Sequence, residues 1–341
     1  MKKYYLLPII CILLLCSCQQ ENKEAKQSEE EAKPKIRLIY DTDANNELDD
    51  QFAQMYILVN GETFDLEGIT VNATFNGGDI DEQYEEAKRI LQLGQRYGQI
   101  PLLKGADGSF ANIKETISDA DFDGKAGVDF IIEQANRSHD QELILLAVGK
   151  LTNVALALEK DPSIAQKMRV VWLGSNYPKP GEYNQDNDTV SMNYVLNTNV
   201  PFEMVTVRYG EPSGTDAVKV TQSEINDQMP GMGPQIEDPI TGRHGGEYYN
   251  FGDYAVSLFQ HIDYHGDPPS RALFDMVAAA ILKNPKWGEK SEIPAPILID
   301  NQWVERPDNP RKIWVWENFD RDAVMQDFYQ TLDNYKLVDP K

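Results

Sequence analysis

The stretch IRLIYDTDANNELDD, residues 36–50, decides how the rest of the chain is interpreted. Its first half, Ile36 to Tyr40, is an apolar run typical of a buried strand. Its second half is acidic and contains Asp41, Asp43, Glu47, Asp49 and Asp50. Apolar residues then recur at helical spacing, at Phe52, Met55, Tyr56 and Val59. The acidic segment is therefore expected to connect a strand to a helix.

The same alternation of strand and helix continues along the chain. Further strands are predicted at Leu66 to Val71, at Leu143 to Val148 and in VVWLG at 170–174. Helical stripes follow the first two of them, at Tyr84, Ala87, Leu91 and Gly94, and at Leu151, Val154, Ala155 and Leu158. This rhythm predicts an α/β fold with a mainly parallel central sheet flanked by helices, and a site at the C-terminal ends of the strands.

The acidic segment raises a problem of charge repulsion. At about 4 Å and an effective dielectric near 20, two like charges repel by roughly 4 kcal/mol. Several converging carboxylates would offset most of a domain's roughly 5 to 15 kcal/mol of stability. Either the side chains diverge into water, with Asp49 capping the following helix, or a cation holds them together.

Two known metal-binding patterns do not fit the segment. An EF-hand needs glycine at loop position 6 and glutamate at position 12, where this chain has Asn46 and Phe52. The paired aspartates of haloacid-dehalogenase-like phosphatases are followed by a threonine or valine and an aliphatic residue, whereas Asn45 and Asn46 stand here.

The segment resembles the DTDxGxDD signature of the inosine-uridine preferring nucleoside hydrolases, with two extra residues. In its longer form, DTDxxNExDDQ, it is similar to a divergent branch of that family. Four further segments are similar to family motifs in the same order, namely LEGITV at 66–71, LLAVGKLTNVALAL at 145–158, GEYNQDND at 181–188 and RALFDMVAAAILKNP at 271–285. The resemblance covers nearly all of residues 36–290.

The resemblance implies a Ca²⁺ site and a ribose site. Asp43 would be both a metal ligand and the general base, and Asp50, Asp275 and the carbonyl of Val148 would complete the protein's metal ligands. Asp49, Glu182 and Asn184 would bind ribose hydroxyls, with Asn76 near the same site. Asp41 would support the loop. Thr152 and Asn153 are predicted to cap the helix that starts at Val154.

The residue types suit this chemistry independently of the resemblance. Carboxylates and a carbonyl, without histidine or cysteine, favour calcium over zinc. Positive charge develops on a ribosyl ring as its bond to the base lengthens, and fixed carboxylates stabilise that charge.

One position departs from the family pattern. Many members have a histidine directly before the last aspartate, where it helps to protonate the leaving base; this chain has Phe274. Phenylalanine can stack on a base but cannot donate a proton. Three histidines, His244, His261 and His265, lie in the preceding stretch, whose glycine-rich part predicts either a mobile loop over the site or a surface turn cluster.

The N-terminal segment predicts export. Lys2 and Lys3 precede an apolar run, Leu6 to Leu15, that is too short to span a bilayer, and the LCSC at 15–18 resembles a bacterial lipobox. We expect a signal peptide at 1–17, a lipidated Cys18 with a disordered acidic tether to residue 35, and a single domain at 36–341. The cell envelope is the expected location, with membrane contact through the lipid anchor alone, periplasmic or on the cell surface.

The composition limits the kinds of molecule that the protein is expected to bind. The formal net charge of −23 becomes −25 without Lys2 and Lys3, which opposes binding to nucleic acid. A small nucleoside or another N-riboside is the expected partner, and family members are often oligomers. Three functions remain open: a calcium-dependent nucleoside hydrolase, a noncatalytic ribose- or carbohydrate-binding lipoprotein that retains the calcium site, and a glycosidase for a non-nucleoside sugar.

Overall fold

The computed structural model describes residues 1–3 and 34–341. Most of the predicted signal peptide and tether, including Cys18, lies outside the described residues, so the predictions for that segment stay predictions. Among the described residues, no helix has the length and apolar character needed to cross a bilayer.

The described residues contain fourteen strands. They are β1 (Ile36–Thr42), β2 (Phe64–Val71), β3 (Leu102–Lys104), β4 (Leu143–Ala147), β5 (Met168–Ser175), β6 (Phe202–Thr206), β7 (Lys219–Thr221), β8 (Ile240–Thr241), β9 (Glu247–Tyr248), β10 (Ser270–Ala272), β11 (Glu289–Pro294), β12 (Ile297–Ile299), β13 (Gln302–Val304) and β14 (Lys312–Glu317).

Eight of these strands form one central sheet in the order β11-β14-β6-β5-β4-β1-β2-β3. Every pairing in it is parallel except that of β11 with β14. β1 lies inside the sheet, between β2 and β4. The acidic segment that follows β1 therefore begins near the middle of the edge formed by the C-terminal ends of the strands. The mainly parallel α/β fold predicted from the sequence is confirmed.

Eleven α-helices accompany the strands. They are α1 (Asp49–Val59), α2 (Ile80–Leu93), α3 (Phe110–Ile113), α4 (Lys125–Asn136), α5 (Thr152–Lys160), α6 (Tyr183–Asn187), α7 (Thr189–Asn197), α8 (Gln222–Gln228), α9 (Phe251–Phe259), α10 (Phe274–Lys283) and α11 (Arg321–Asp333).

Alternate residues of β1 supply two separate cores. Leu38 and Tyr40 belong to the core that contains α1, α9, α10 and α11, whereas Ile39 belongs to the core that contains α4, α5 and α7. Successive side chains of a strand point to opposite faces, so a continuous apolar run is what a strand covered on both faces requires.

Helix α1 is buried along its whole length. Phe52 packs against Phe251, Phe259 and Phe328, with ring centroids 5.2, 5.8 and 5.4 Å away. The helix begins with Asp49 and Asp50, so its first turn holds these carboxylates at the end of the sheet while the rest of the helix anchors them.

One local prediction is wrong: α5 begins at Thr152, and neither Thr152 nor Asn153 caps it with a side chain. The alternative in which Asp49 caps the following helix does not apply either, because Asp49 is the first residue of α1 and Leu48 precedes it. Both side chains of α5 instead make longer-range contacts: Thr152 donates to Asp188, and Asn153 donates to Asp41. Tertiary partners have outcompeted the local cap.

Candidate active site

The C-terminal ends of the central strands open into a cavity of about 460 Å³. The residues that line it include eight of the predicted site residues: Asp43, Asp49, Asp50, Val148, Glu182, Asn184, Phe274 and Asp275. They come from four segments that are far apart in sequence, and the parallel sheet brings those segments to one edge.

Asp43 lies directly after β1 and is 2% exposed. One of its oxygens, Oδ2, accepts a hydrogen bond of 2.6 Å from the hydroxyl of Thr74. The turn after β4 passes close to the other oxygen: a Cβ added to Gly149 would lie 2.9 Å from Asp43 Oδ1 and 2.8 Å from the amide of Asn72. Glycine is therefore required where the two strand ends approach each other.

Asp49, Asp50 and Asp275 form the tightest carboxylate cluster of the cavity. One carboxylate oxygen from each lies within 4.8 Å of the other two, and all three side chains are buried. Asp50 also accepts a hydrogen bond from Thr42. The resemblance assigned Asp43 rather than Asp49 to the metal, whereas in this arrangement Asp49 is the closer companion of Asp50 and Asp275.

The electrostatic cost of the cluster is visible in its pKa values. Burial, followed by the charges of Asp49 and Asp50, raises the pKa of Asp275 well above its usual range. Burial and the charge of Asp50 do the same to the pKa of Asp43, and burial raises the pKa of Asp50 to about 6. Without a compensating cation, these carboxyl groups therefore keep their protons to higher pH than exposed aspartates do.

The donor set fits a hard divalent cation. Three carboxylates converge, and the side-chain oxygen of buried Asn184 has no hydrogen-bond partner although Asn184 lines the cavity. The amide nitrogen of Asn184 donates to the carbonyl of Val148 at 2.5 Å, and that carbonyl oxygen has a second lone pair available. Oxygen ligands of this kind suit calcium.

Glu182 and Asn184 are positioned by the short helix α6. Glu182 precedes its first residue and accepts a hydrogen bond from the backbone of Gln185 at 2.9 Å. Burial raises the pKa of Glu182 to about 7. The carboxyl group thus has a local structural task as well as a place in the cavity lining.

Asp41 and Asn76 lie outside the cavity lining. Asp41 is fully buried and accepts hydrogen bonds from Thr70, Asn72 and Asn153 at 2.6, 3.1 and 2.7 Å, so it joins β2 and α5 to the end of β1. Asn76 is exposed, and its backbone donates to the hydroxyl of Tyr183. The asparagine that directly follows β2 is Asn72.

Several lining residues were not found from the sequence. Tyr209 follows β6. Because the predicted site residues follow the ends of the other central strands, this position after β6 could have identified Tyr209 as a candidate. Its ring meets that of Phe274 edge to face, with centroids 5.9 Å apart and an angle of 87° between the planes. Lys219 lies in β7, which no sequence pattern singled out. His265, in the loop before β10, was one of three candidate histidines, and Arg271, in β10, begins the last segment similar to a family motif, but neither was among the predicted site residues.

The three histidines discussed above separate in the structure. His265 lines the cavity, and its backbone pairs with Ser270. His244 and His261 are not among the lining residues and stack on each other, with ring centroids 4.4 Å apart.

Comparisons with known proteins agree with this fold. The sequence model of the inosine-uridine preferring nucleoside hydrolase family matches residues 38–326. A probable uridine nucleosidase 2 of Arabidopsis thaliana is 28% identical over 168 residues, which are 43% of this chain and 50% of that protein. The chain spans about half to two thirds of the length of the curated relatives it matches.

Solved structures show the same fold. A plant nucleoside hydrolase gives a TM-score of 0.69 at 17% identity, with 88% of this chain and 99% of that chain covered. A purine-preferring ribonucleoside hydrolase from Gardnerella vaginalis gives 0.66 at 17% identity, with 87% and 98% covered. Because the family model covers most of the sequence, we conclude that the chain belongs to the inosine-uridine preferring nucleoside hydrolase family.

Proposed function

We propose that the protein hydrolyses the N-glycosidic bond of ribonucleosides, or of closely related N-ribosides, with the help of calcium. The observation that carries this proposal is the cluster of Asp49, Asp50 and Asp275 beside Asp43, buried together in one cavity. Such a concentration of carboxylates is costly unless it binds cations.

The metal ligands would be Asp43, Asp50, Asp275 and the carbonyl of Val148. Asp49 and Asn184, whose side-chain oxygen has no hydrogen-bond partner, line the same cavity. A calcium ion held there would offset the carboxylate repulsion and make a nearby water molecule easier to deprotonate.

The side chains then divide the remaining work. Asp43, held by Thr74, takes a proton from the attacking water. Asp49, Glu182 and Asn184 bind ribose hydroxyls and fix the sugar above that water. The fixed carboxylates stabilise the positive charge that develops on the ribosyl ring as the base departs. Phe274 packs against the base.

Two other functions predict different outcomes for the same protein. Phe274 at the position of the usual proton donor favours a noncatalytic ribose- or carbohydrate-binding protein as the second candidate. That protein would bind ribosides in the presence of calcium without cleaving them. A glycosidase for another sugar would release reducing sugar from a glycoside panel but not from nucleosides.

The deciding experiment measures reducing-sugar release from inosine, adenosine, guanosine, uridine and cytidine by the purified chain. We expect release with calcium and its loss, by at least about 1,000-fold, after chelation or in Asp43→Ala, because both changes remove the activation of water. Asp119→Ala removes an exposed carboxylate outside the cavity and is the matched control. Undiminished release after chelation and in Asp43→Ala would refute the mechanism.

The location in the cell envelope is also a proposal, supported by the lipobox-like LCSC at 15–18. Cys18→Ser should move the protein from the membrane fraction to the soluble fraction, and continued membrane association would argue against a lipid anchor.

A further inference from the structure

The cavity is lined by more acidic groups than a metal ion and the cavity's own basic side chains can neutralise. Its lining includes seven carboxylates: Asp43, Glu47, Asp49, Asp50, Glu182, Asp216 and Asp275. Two basic side chains line it as well, and both are already paired, Lys219 with Asp216 at 2.8 Å and Arg271 with Glu47. With all seven carboxylates ionised, a divalent cation would still leave three negative charges in excess.

Two aromatic residues, Phe274 and Tyr209, form an aromatic corner in the same cavity. Both line the cavity, and their rings meet edge to face. Tyr209 is 43% exposed, so part of its ring is open to an incoming molecule. Aromatic faces attract cations through their quadrupole, and nearby carboxylates strengthen that attraction. Charge and aromatic surface therefore favour the same kind of ligand.

The corner is poorly suited to protonating a leaving base. Phenylalanine has no acidic proton, and burial together with the charge of Glu182 raises the pKa of Tyr209 above its usual range, which makes the phenol a weaker acid. Among the described lining residues the one histidine, His265, stands beside β10, on the wall that also carries Arg271.

A leaving group that is already positively charged needs no proton. When the bond between C1′ and a cationic ring nitrogen breaks, its electron pair moves to that nitrogen and cancels the positive charge, so the heterocycle departs as a neutral molecule. The oxygen of water forms the new bond to C1′, and Asp43 accepts the proton that the water loses. Charge and atoms balance without a general acid.

We infer that the preferred substrates are N-ribosides whose heterocycle carries a permanent positive charge, such as pyridinium or N7-alkylated purine ribosides, held against Tyr209 and Phe274 in the carboxylate-rich cavity. This inference rests on the proposed hydrolytic function and specifies its substrate class.

The test compares cationic and neutral ribosides of nearly equal shape. Nicotinamide riboside is paired with its neutral dihydro form, and 7-methylinosine with inosine. Dissociation constants are measured by calorimetry with calcium-loaded Asp43→Asn protein, so that cleavage does not disturb binding, and kcat/KM is measured with the unmodified chain. We expect the cationic member of each pair to bind about 10-fold more tightly and to be cleaved preferentially.

Variants of the two aromatic residues test whether these residues cause the preference for cationic ribosides. In the same Asp43→Asn background, Tyr209→Leu should lower the affinity for the cations about 2- to 30-fold and affect the neutral ribosides less. Phe274→Leu, which keeps an apolar side chain at the site, should act in the same direction if Tyr209→Leu does not fold. Tyr97→Leu is the control, because Tyr97 is 44% exposed and is not among the lining residues of this cavity.

The outcomes separate the two proposals. Equal or weaker binding of the cations than of their neutral partners overturns the inference, whether or not the ribosides are cleaved. Absence of cleavage of all four ribosides contradicts the proposed function, while the affinity ratios still decide whether the cavity selects cations.

Discussion

Asp43 depends on neighbours from two other segments. Thr74 fixes one of its oxygens by a hydrogen bond, and Gly149 leaves room for the other. A general base must face the attacking water in one orientation, so these contacts matter to the chemistry even though neither residue has a reactive group of its own.

Thr74→Val tests that dependence at the scale of a single residue. Valine keeps the shape but removes the hydroxyl that donates to Asp43, and hydrogen bonds to charged groups contribute about 1.5 to 3 kcal/mol. We expect kcat to fall about 10- to 100-fold with little change in KM. In the control Thr116→Val, the lost hydroxyl bonds only the backbone of Ile113. Unchanged kcat in Thr74→Val would exclude a positioning role.

Individual site residues were predictable only where a motif surrounded them. The acidic residues 41–50 stood out because their number is unusual after an apolar run. Thr74 and Tyr209 carry no such signal, since a threonine or tyrosine in a loop becomes part of a site only through its neighbours in space. Asn76 was chosen by similarity to a motif region, whereas the end of β2 brings Asn72 next to Asp41.

Among the elements, β1 and α1 were the most predictable. A strand buried on both faces needs an uninterrupted apolar run, and β1 has one; α1 follows from its apolar spacing. The ends of helices were less predictable. Thr152 and Asn153 have the side chains of capping residues, but partners from other segments use those side chains instead.

The turn between β4 and α5 must pass close to Asp43, and this gives a testable prediction about Gly149. Gly149→Ala places a Cβ within 3 Å of both Asp43 and Asn72, so the turn or the carboxylate must move. We expect at least about a 10-fold loss of kcat, because misplacement by about 1 Å costs on the order of 100-fold. Gly108→Ala is the control, since there a Cβ would meet only flexible side chains beyond 3 Å. Full activity in Gly149→Ala would show that the close approach is dispensable.

At the scale of the whole molecule, several buried carboxyl groups link stability to pH. Burial raises the pKa of Asp41 and of Asp50 to about 6, and that of Glu182 to about 7. Unfolded carboxyl groups titrate near pH 4. The folded state therefore holds extra protons between about pH 4 and 7. The resulting stability is full below that window and is lost as pH rises through it.

The calcium-free protein should accordingly become less stable from pH 5 to pH 8. Glu182 alone accounts for about 3 kcal/mol of that loss, since one pKa unit corresponds to about 1.4 kcal/mol. Urea denaturation with chelator should show the slope, Glu182→Gln should reduce it, and excess calcium should raise stability most at the high-pH end. Stability that rises with pH without calcium would contradict these pKa shifts.

The two edge strands of the central sheet influence whether copies of the protein aggregate at high concentration. One edge is β3, which has only three residues, and the other is β11, whose sequence EKSEIP is charged and ends in proline. Short, charged and proline-containing edges make poor templates for a further strand. The protein should therefore resist growing into fibrous aggregates through its sheet, even at high protein concentration.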